Sequence, residues 1–222
     1  MELIEAVKNR HSVRRYQKKP IEAEMLSALQ EEINACNQKS GLHIQLVTGE
    51  PNAFRSLMAH YGNFSGVTNY IALVGTKGKH LEELCGYYGE RLVLNAQQLG
   101  LNTCWAAMTY KKVPGAFVVR KGERLVAVIA LGYGETQGTA HKTKSIEAVS
   151  NAAEDSPKWF QNGVELALLA PTAVNQQKFY LKLDGENRVT AKAGMGFYSK
   201  IDLGIVKYHF EIGADKKNFI WA

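Results

Sequence analysis

Leu99-Gly100-Leu101-Asn102-Thr103-Cys104-Trp105 closes the longest helical segment of this sequence, Leu81 to Gly100, whose apolar positions include Leu92, Leu94, Ala96 and Leu99. Gly100 is a natural C-cap, because glycine takes the left-handed conformation without steric cost. A continuous apolar run of buried-strand type lies on each side of this helix. Tyr70 to Val74 (YIALV) precedes it, and Leu125 to Leu131 (LVAVIAL) follows, stopped by Gly132-Tyr133-Gly134. Further upstream, the alternation at Leu42 to Thr48 (LHIQLVT) predicts a strand ended by Gly49-Glu50-Pro51, and residues 51 to 60 read as a short helix. Helical periodicity covers Ile21 to Ala35 behind Pro20, and Leu3 to Lys8 with Leu3, Ile4 and Val7 on one face. Downstream come a helix from about Pro157 to Leu169, a strand Lys178 to Leu183, a turn at Asp184 to Asn187 and a helix from Ser199 to Glu211. Helices and strands mingle without a regular β-α-β beat. The expected class is therefore α+β, with an antiparallel or mixed central sheet flanked by helices.

The 222 residues, 45% hydrophobic and 22% charged, suit one sizeable globular domain or two small ones. A chain of this length buries roughly 70% of its unfolded surface, enough to fold without disulfides or a metal. Cys36, Cys85 and Cys104 are odd in number and scattered, and they lack the paired spacing of a zinc site, so no metal is expected and a reducing, cytoplasmic location is. The first twenty residues are charged and amphipathic instead of patterned as a signal peptide, and no apolar run approaches membrane-spanning length. Neither a membrane nor a leader is expected. Basic residues exceed acidic ones by 27 to 21, a net charge of +6. Six of the basic residues crowd Lys8 to Lys19 (KNRHSVRRYQKK) with no acid among them, and a second knot is His141 to Lys144 (HKTK). Neither is interleaved with aromatic residues, and no helix-turn-helix, zinc finger or RNA-recognition signature accompanies them, so nucleic acid is not an expected partner. A solvated helix end and an anion site both remain open for each cluster.

Ile4-Glu5-Ala6-Val7-Lys8-Asn9 recurs as Ile146-Glu147-Ala148-Val149-Ser150-Asn151. A six-residue match with one mismatch arises by chance in helical sequence. More weight rests on the order that follows each copy: helix, short connection, strand ending in a Gly-Glu turn, then a long helix.

Arg10-His11-Ser12-Val13-Arg14 can offer two guanidinium groups, a hydroxyl and free amides to one anion, and the Arg fork matches phosphate oxygens bidentately. Lys142 and Lys144 could close on the same anion. In these elements the sequence resembles the nitroreductase-like flavoproteins, which bind FMN. Members open with a helix leading into R-x-S-x-R, here Arg10, Ser12 and Arg14; then come L-G-L-x-T-C-W (Leu99 to Trp105), a strand ending in L-G-Y (Leu131 to Tyr133), and a basic pair (Lys142, Lys144). The resemblance implies that Arg10, Ser12, Arg14, Lys142 and Lys144 hold the FMN phosphate, with His11 adding a hydrogen bond. It also implies that Trp105 and the backbone of Ala106 and Ala107 approach the flavin.

One departure is informative. The A-P-S-x-x-N motif that lines the ring in most members is absent near residue 40, where Asn34 to Ser40 reads NACNQKS. Ala170-Pro171-Thr172-Ala173-Val174-Asn175 stands instead at the end of the corresponding helix after the second copy, and that copy has Ala152 where the first has Arg10. Pro171, Thr172, Ala173, Val174 and Asn175 are thereby implicated in covering the ring. The expectation is a dimer folded into one chain: residues 1–144 as a nitroreductase-like half gripping the phosphate, residues 145–222 as a shortened half supplying the ring motif. Such a chain binds one FMN as a monomer (a pseudo-dimer), a homodimer sharing its sites being the alternative. The implied activity is NAD(P)H oxidation through FMN in a two-step exchange that reduces a small flat acceptor, such as a nitroaromatic or quinone, with no acid or base side chain required. A non-enzymatic flavin-binding protein with a sealed ring is the other reading the resemblance allows.

Other chemistry-bearing residues have plainer expected roles. Cys104 reads as a buried small side chain, His209 as a core or partner-facing residue, and Asn63 in Gly62-Asn63 as a turn residue or an FMN contact. Trp159 and Trp221, like Trp105, are packing residues or a wall of the ring, and Gln17, Lys18 and Lys19 form a solvated stretch.

Overall fold

The computed structural model describes residues 1–55, 57 and 61–222. Four strands form the larger sheet in the order β1-β2-β4-β3, every neighbouring pair antiparallel: β1 Gln45–Val47, β2 Asn69–Thr76, β3 Asn102–Ala106 and β4 Glu123–Gly132. The inner strands β2 and β4 are apolar from Tyr70 to Val74 and from Leu125 to Leu131, where both faces are covered. Ile71 and Leu73 with Ala127, Ile129 and Leu131 face one core, while Tyr70, Ala72 and Val74 with Val128 and Ala130 face the other. Helices α2 Ala23–Ser40 and α3 Leu81–Gln98 cover the first face, and α1 Leu3–Asn9 packs on α3 in a smaller cluster of its own. Phe54, Phe64, Val13 and Tyr16 close the second. The short helix expected at 51 to 60 lies partly outside the described residues.

Helix α2 starts two residues later than the periodicity suggested and runs on to Ser40, where Gly41 at φ 70° caps it. Its polar last turn carries no apolar stripe from which the extension could be read. The strand expected from Leu42 shrinks to β1, because the Asn37 side chain takes both backbone groups of Ile44, at 2.8 and 2.9 Å. Strand β3 was not anticipated. Gly100 at φ 80° reverses the chain and Asn102 and Thr103 break the apolar pattern, yet both are buried. Asn102 earns its burial through bonds to the Gly134 amide (2.9 Å) and the Gln137 side chain (3.0 Å).

Residues 145–222 open with a single turn, α4 Ile146–Val149, followed by α5 Lys158–Leu168, β5 Phe179–Asp184, β6 Arg188–Ala193, α6 Ser199–Ala214 and β7 Ile220–Trp221. Strands β5 and β6 form a hairpin through the expected Asp184–Asn187 turn, with Gly185 at φ 68°, and β7 adds to β6 in parallel. Strands β6 and β7 were missed because one is edged with Lys and Ala around a single buried Val189 and the other has only two residues.

The long helices α3 and α6 cross at Gly86 and Gly204. A Cβ on Gly86 would lie 2.0 Å from the Ile201 carbonyl oxygen, and one on Gly204 would lie 2.0 Å from the Glu83 carbonyl oxygen. The contact is reciprocal, since Ile201 precedes Gly204 as Glu83 precedes Gly86, and such exchange is what a local two-fold axis produces. This register sets His209 against Arg91, not against Ala96 as alignment of the closing glycines Gly100 and Gly213 suggests. The main core continues without a break across residue 144, joining Leu73 and Leu92 to Phe160, Val164 and Phe210. No helix among the described residues is long and apolar enough to cross a membrane.

Candidate functional site

A cavity of 470 Å³ lies where the end of β3 meets the N-terminal half of α6, within the range of ligand pockets. One wall is the run Cys104 to Thr109, with Ser12 and Arg14 beside it; Pro171 to Val174 and α6 residues Ile201, Asp202 and Ile205 form the other.

The segment after α1 runs as an extra strand along β3, with Ser12 bridged to Thr103 and the Val13 amide donating to the Thr103 carbonyl at 3.0 Å. Side chains alternate along an extended chain. Ser12 and Arg14 consequently reach the cavity while Val13 enters the smaller core.

Arg10, one step earlier, is 3% exposed and turns inward. Its Nε lies 3.7 Å from Glu90 Oε1, beyond hydrogen-bond distance. Glu90 is fully buried on α3 and accepts from the Trp105 indole at 2.9 Å, and His209 Nε2 lies 2.9 Å from it. This cluster joins both halves beneath the cavity and fixes Trp105, one of its walls. His11 is held below its usual 6.5, by burial first and then by Arg10 and His141. Arg14 brings the guanidinium that lines the cavity beside Ser12.

The Pro171 to Val174 wall belongs to a tight turn, with Val174, Asn175 and Gln177 at φ 47°, 54° and 45°. Left-handed backbone is costly for a β-branched residue and persists only where the surroundings enforce it. Asp202 enforces it here, accepting from the Ala173 amide at 3.0 Å and from Gln176 Nε2 at 2.7 Å. Gln177 locks the other side, donating from its amide to Thr172 Oγ1 at 3.0 Å and from its side chain to the Lys142 carbonyl at 2.8 Å. Burial pushes the Asp202 carboxyl up from 3.8 to about 6, against the pull of the two hydrogen bonds.

Of the residues singled out in the sequence, Ser12, Arg14, Trp105, Ala106, Ala107, Pro171, Thr172, Ala173 and Val174 line this cavity. Arg10, His11, Lys142, Lys144 and Asn175 do not. Arg10 faces Glu90. Asn175 donates to the Lys142 carbonyl at 2.9 Å, and Lys144 Nζ donates to the Gln177 carbonyl at 2.9 Å, so the second basic knot straps the turn from outside. Asp202, Tyr198 and Phe197 were missed; the readable signal was an acid set between Ile201 and Leu203 on an apolar helix. Cys104 is buried, its thiol raised by burial, and Asn63 sits in a turn at φ 58°. Trp159 and Trp221 pack in an aromatic cluster with Phe160, Phe210 and Phe219. Gln17 donates to the Gly134 carbonyl at 2.7 Å, and Lys19 pairs with Glu22 at 2.9 Å.

The family model described as "Putative TM nitroreductase" matches residues 2–214. The chain belongs to this nitroreductase family. Among solved structures it is similar to a putative nitroreductase from Thermotoga maritima, at 23% identity over 98% of this chain and 85% of that one, with a TM-score of 0.67. A putative nitroreductase from Desulfovibrio desulfuricans in complex with FMN is 17% identical over 71% of this chain and 99% of its own, TM-score 0.55. A putative NADH dehydrogenase/NAD(P)H nitroreductase from Parabacteroides distasonis is 18% identical over 69% and 98%, TM-score 0.52. These likenesses are likenesses of fold. No curated protein matches the chain.

Proposed function

We propose that the protein is an FMN-dependent oxidoreductase that oxidises NAD(P)H and reduces a small flat acceptor such as a nitroaromatic or quinone. The observation that carries this reading is a cavity walled by both repeats, apolar along most of its surface, with the Arg14 guanidinium and the Ser12 hydroxyl at one end. The fit to FMN rests on that asymmetry. Arg14 and Ser12 line that end and offer a guanidinium fork and a hydroxyl to a phosphate. The flat wall from Trp105 to Ala107 and the turn from Pro171 to Val174 suit the two faces of a planar ring.

In this assignment Arg14 and Ser12 bind the phosphate, and Arg10 acts through Glu90 and Trp105 as a positioning residue instead of as a direct ligand. Bound there, FMN would supply the redox chemistry, taking electrons from NAD(P)H and releasing them to the acceptor. The protein's part is to hold the ring, shield one face and leave the other open. Val174 is 93% and Phe197 82% exposed at the cavity mouth, which favours an open site over a sealed binding protein. One chain supplies every wall, so we assign one FMN per chain and residues 145–222 as the half that covers the ring.

Titration of the apoprotein with FMN, followed by quenching of flavin fluorescence, tests the cofactor. Quenching that saturates with the wild type is expected, and a flavin signal unchanged at excess protein refutes the assignment. Anaerobic NADH or NADPH should then bleach the bound flavin; a stable yellow colour would reduce the protein to a flavin-binding module.

A further inference from the structure

A second groove, of 360 Å³, sits against the same pair of crossing helices. Four of its walls are His80, the N-cap of α3, and Glu83, Leu84 and Tyr87 within it. The register that sets Gly204 on Gly86 also sets Tyr198, Ile201, Asp202 and Ile205 on those four residues in order, and these, the N-cap and three residues of α6, line the first cavity. A tryptophan completes each site. The Trp105 indole donates to Glu90 on the long helix of its own half (2.9 Å), and the Trp221 indole donates to Glu211 on its own (2.8 Å), displaced by one helical turn.

We propose that this groove is the mate of the cavity under the local two-fold, a second cofactor-type site converted into a clasp between the halves that takes no flavin. The conversion is visible in the side chains. Where the cavity has Ile201 and Ile205, the groove has Glu83 and Tyr87. Glu83 accepts from Lys207 of α6 at 2.5 Å. The Tyr87 hydroxyl donates to Glu211, and Lys216 reaches both the Tyr87 oxygen (2.8 Å) and Glu211 (2.6 Å). Each of these links except Lys216–Glu211 runs from the first repeat to the second. Glu211 is nearly buried and receives three donors, Tyr87, Trp221 and Lys216, so the carboxylate that would repel a flavin phosphate is already satisfied by protein. The residues that make the first cavity a flavin candidate are absent from this one: aligned on Ile4 and Ile146, the second copy has Glu154 and Ser156 in place of Ser12 and Arg14, and the first half has NACNQKS where the ring motif would stand.

The clasp is testable in the apoprotein, independently of any cofactor, while its exclusion of flavin rests on the function proposed above. Two double-mutant cycles on urea unfolding, Glu83→Gln with Lys207→Met and Tyr87→Phe with Lys216→Met, read the coupling across the groove. Each pair is expected to be coupled by about fivefold or more in the unfolding constant, and additive changes in both cycles overturn the clasp. Flavin bound at saturation is then counted per chain by absorbance: one equivalent, unchanged in Tyr87→Phe, is expected, and two equivalents overturn the conversion. A protein that binds no flavin defeats the proposed function but leaves the coupling measurement to decide the clasp.

Discussion

Replacing Asp202 by Asn separates the cost of a buried charge from the value of the hydrogen bonds it makes. The carboxyl titrates at about 6 in the folded protein against 3.8 unperturbed, with burial the larger cause. Below about pH 3.8 both the folded and unfolded states hold the proton and the group contributes no difference. As the pH rises from 3.8 to 6 the unfolded state ionises first, and the fold loses stability. Above 6 the full difference of about two units is in force, or about 3 kcal/mol. Asn never ionises and so escapes that loss. Its carbonyl can still accept from the Ala173 amide, but its amide opposes Gln176 Nε2, which must turn and give up its 2.7 Å bond to the Phe197 carbonyl, at about 1 kcal/mol. Asp202→Asn is therefore expected to be about 1 kcal/mol less stable than wild type near pH 4 and about 2 kcal/mol more stable near pH 7. Urea unfolding of the apoprotein at four pH values between these limits measures it, and every other titrating group cancels in the difference. A flat difference profile, with the variant weaker throughout, would show that Asp202 is an ordinary stabilising carboxylate and would refute the reasoning.

Four further outcomes follow from particular contacts. Arg14→Ala should weaken FMN binding by about tenfold or more while leaving thermal unfolding unchanged, because the side chain is exposed and its partner is the proposed phosphate. Arg10→Ala should act in the opposite place: it leaves Glu90 short of its buried cation and is expected to cost about 3 kcal/mol or more of apoprotein stability in urea, against a small effect for Asn175→Ala. Gly204→Ala puts a methyl 2.0 Å from the Glu83 carbonyl, so α3 and α6 must separate, with a loss of about 3 kcal/mol by the same measurement. Burial pushes the thiols of Cys36 and Cys85 to about 12 and also raises that of Cys104, so all three should resist a disulfide reagent at pH 8 in the native protein and react together in denaturant.

The legible parts of the fold were those with a physical period. The strands at Tyr70 and Leu125 announced themselves because burial on both faces leaves no room for a polar residue, and α3 and α6 because their apolar stripes are long. Strand β3 stayed hidden because its burial is secured by side-chain hydrogen bonds at Asn102, which look like loop chemistry in a sequence. For the site, composition could place Ser12 and Arg14 in a basic segment, and strand alternation puts both on the cavity face; Arg10 shares their parity but caps α1 ahead of the Ser12–Thr103 bridge, where it meets Glu90 instead. Asp202 stands out as an acid between Ile201 and Leu203, but what it does is hidden for a related reason. Its role depends on a turn 29 residues earlier in the chain, from which the Ala173 amide reaches it, and no local pattern encodes that meeting.

The unequal halves bear on how such a chain departs from a symmetric dimer. In a homodimer every residue occurs twice, so an R-x-S-x-R segment or a ring-covering turn must suit both of its copies at once. Fusion removes that constraint. On the reading proposed here, the first repeat keeps Ser12 and Arg14 and has lost the ring motif, while the second keeps Pro171 to Val174 and has lost the basic segment. Each loss falls on the mate groove, since that groove draws its ring motif from the first half and its anion grip from the second. The reciprocal contact at Gly86 and Gly204 cannot change independently, because each glycine makes room for the other helix. On that reading symmetry persists at the crossing, where sterics demand it, and is lost where one cofactor would suffice.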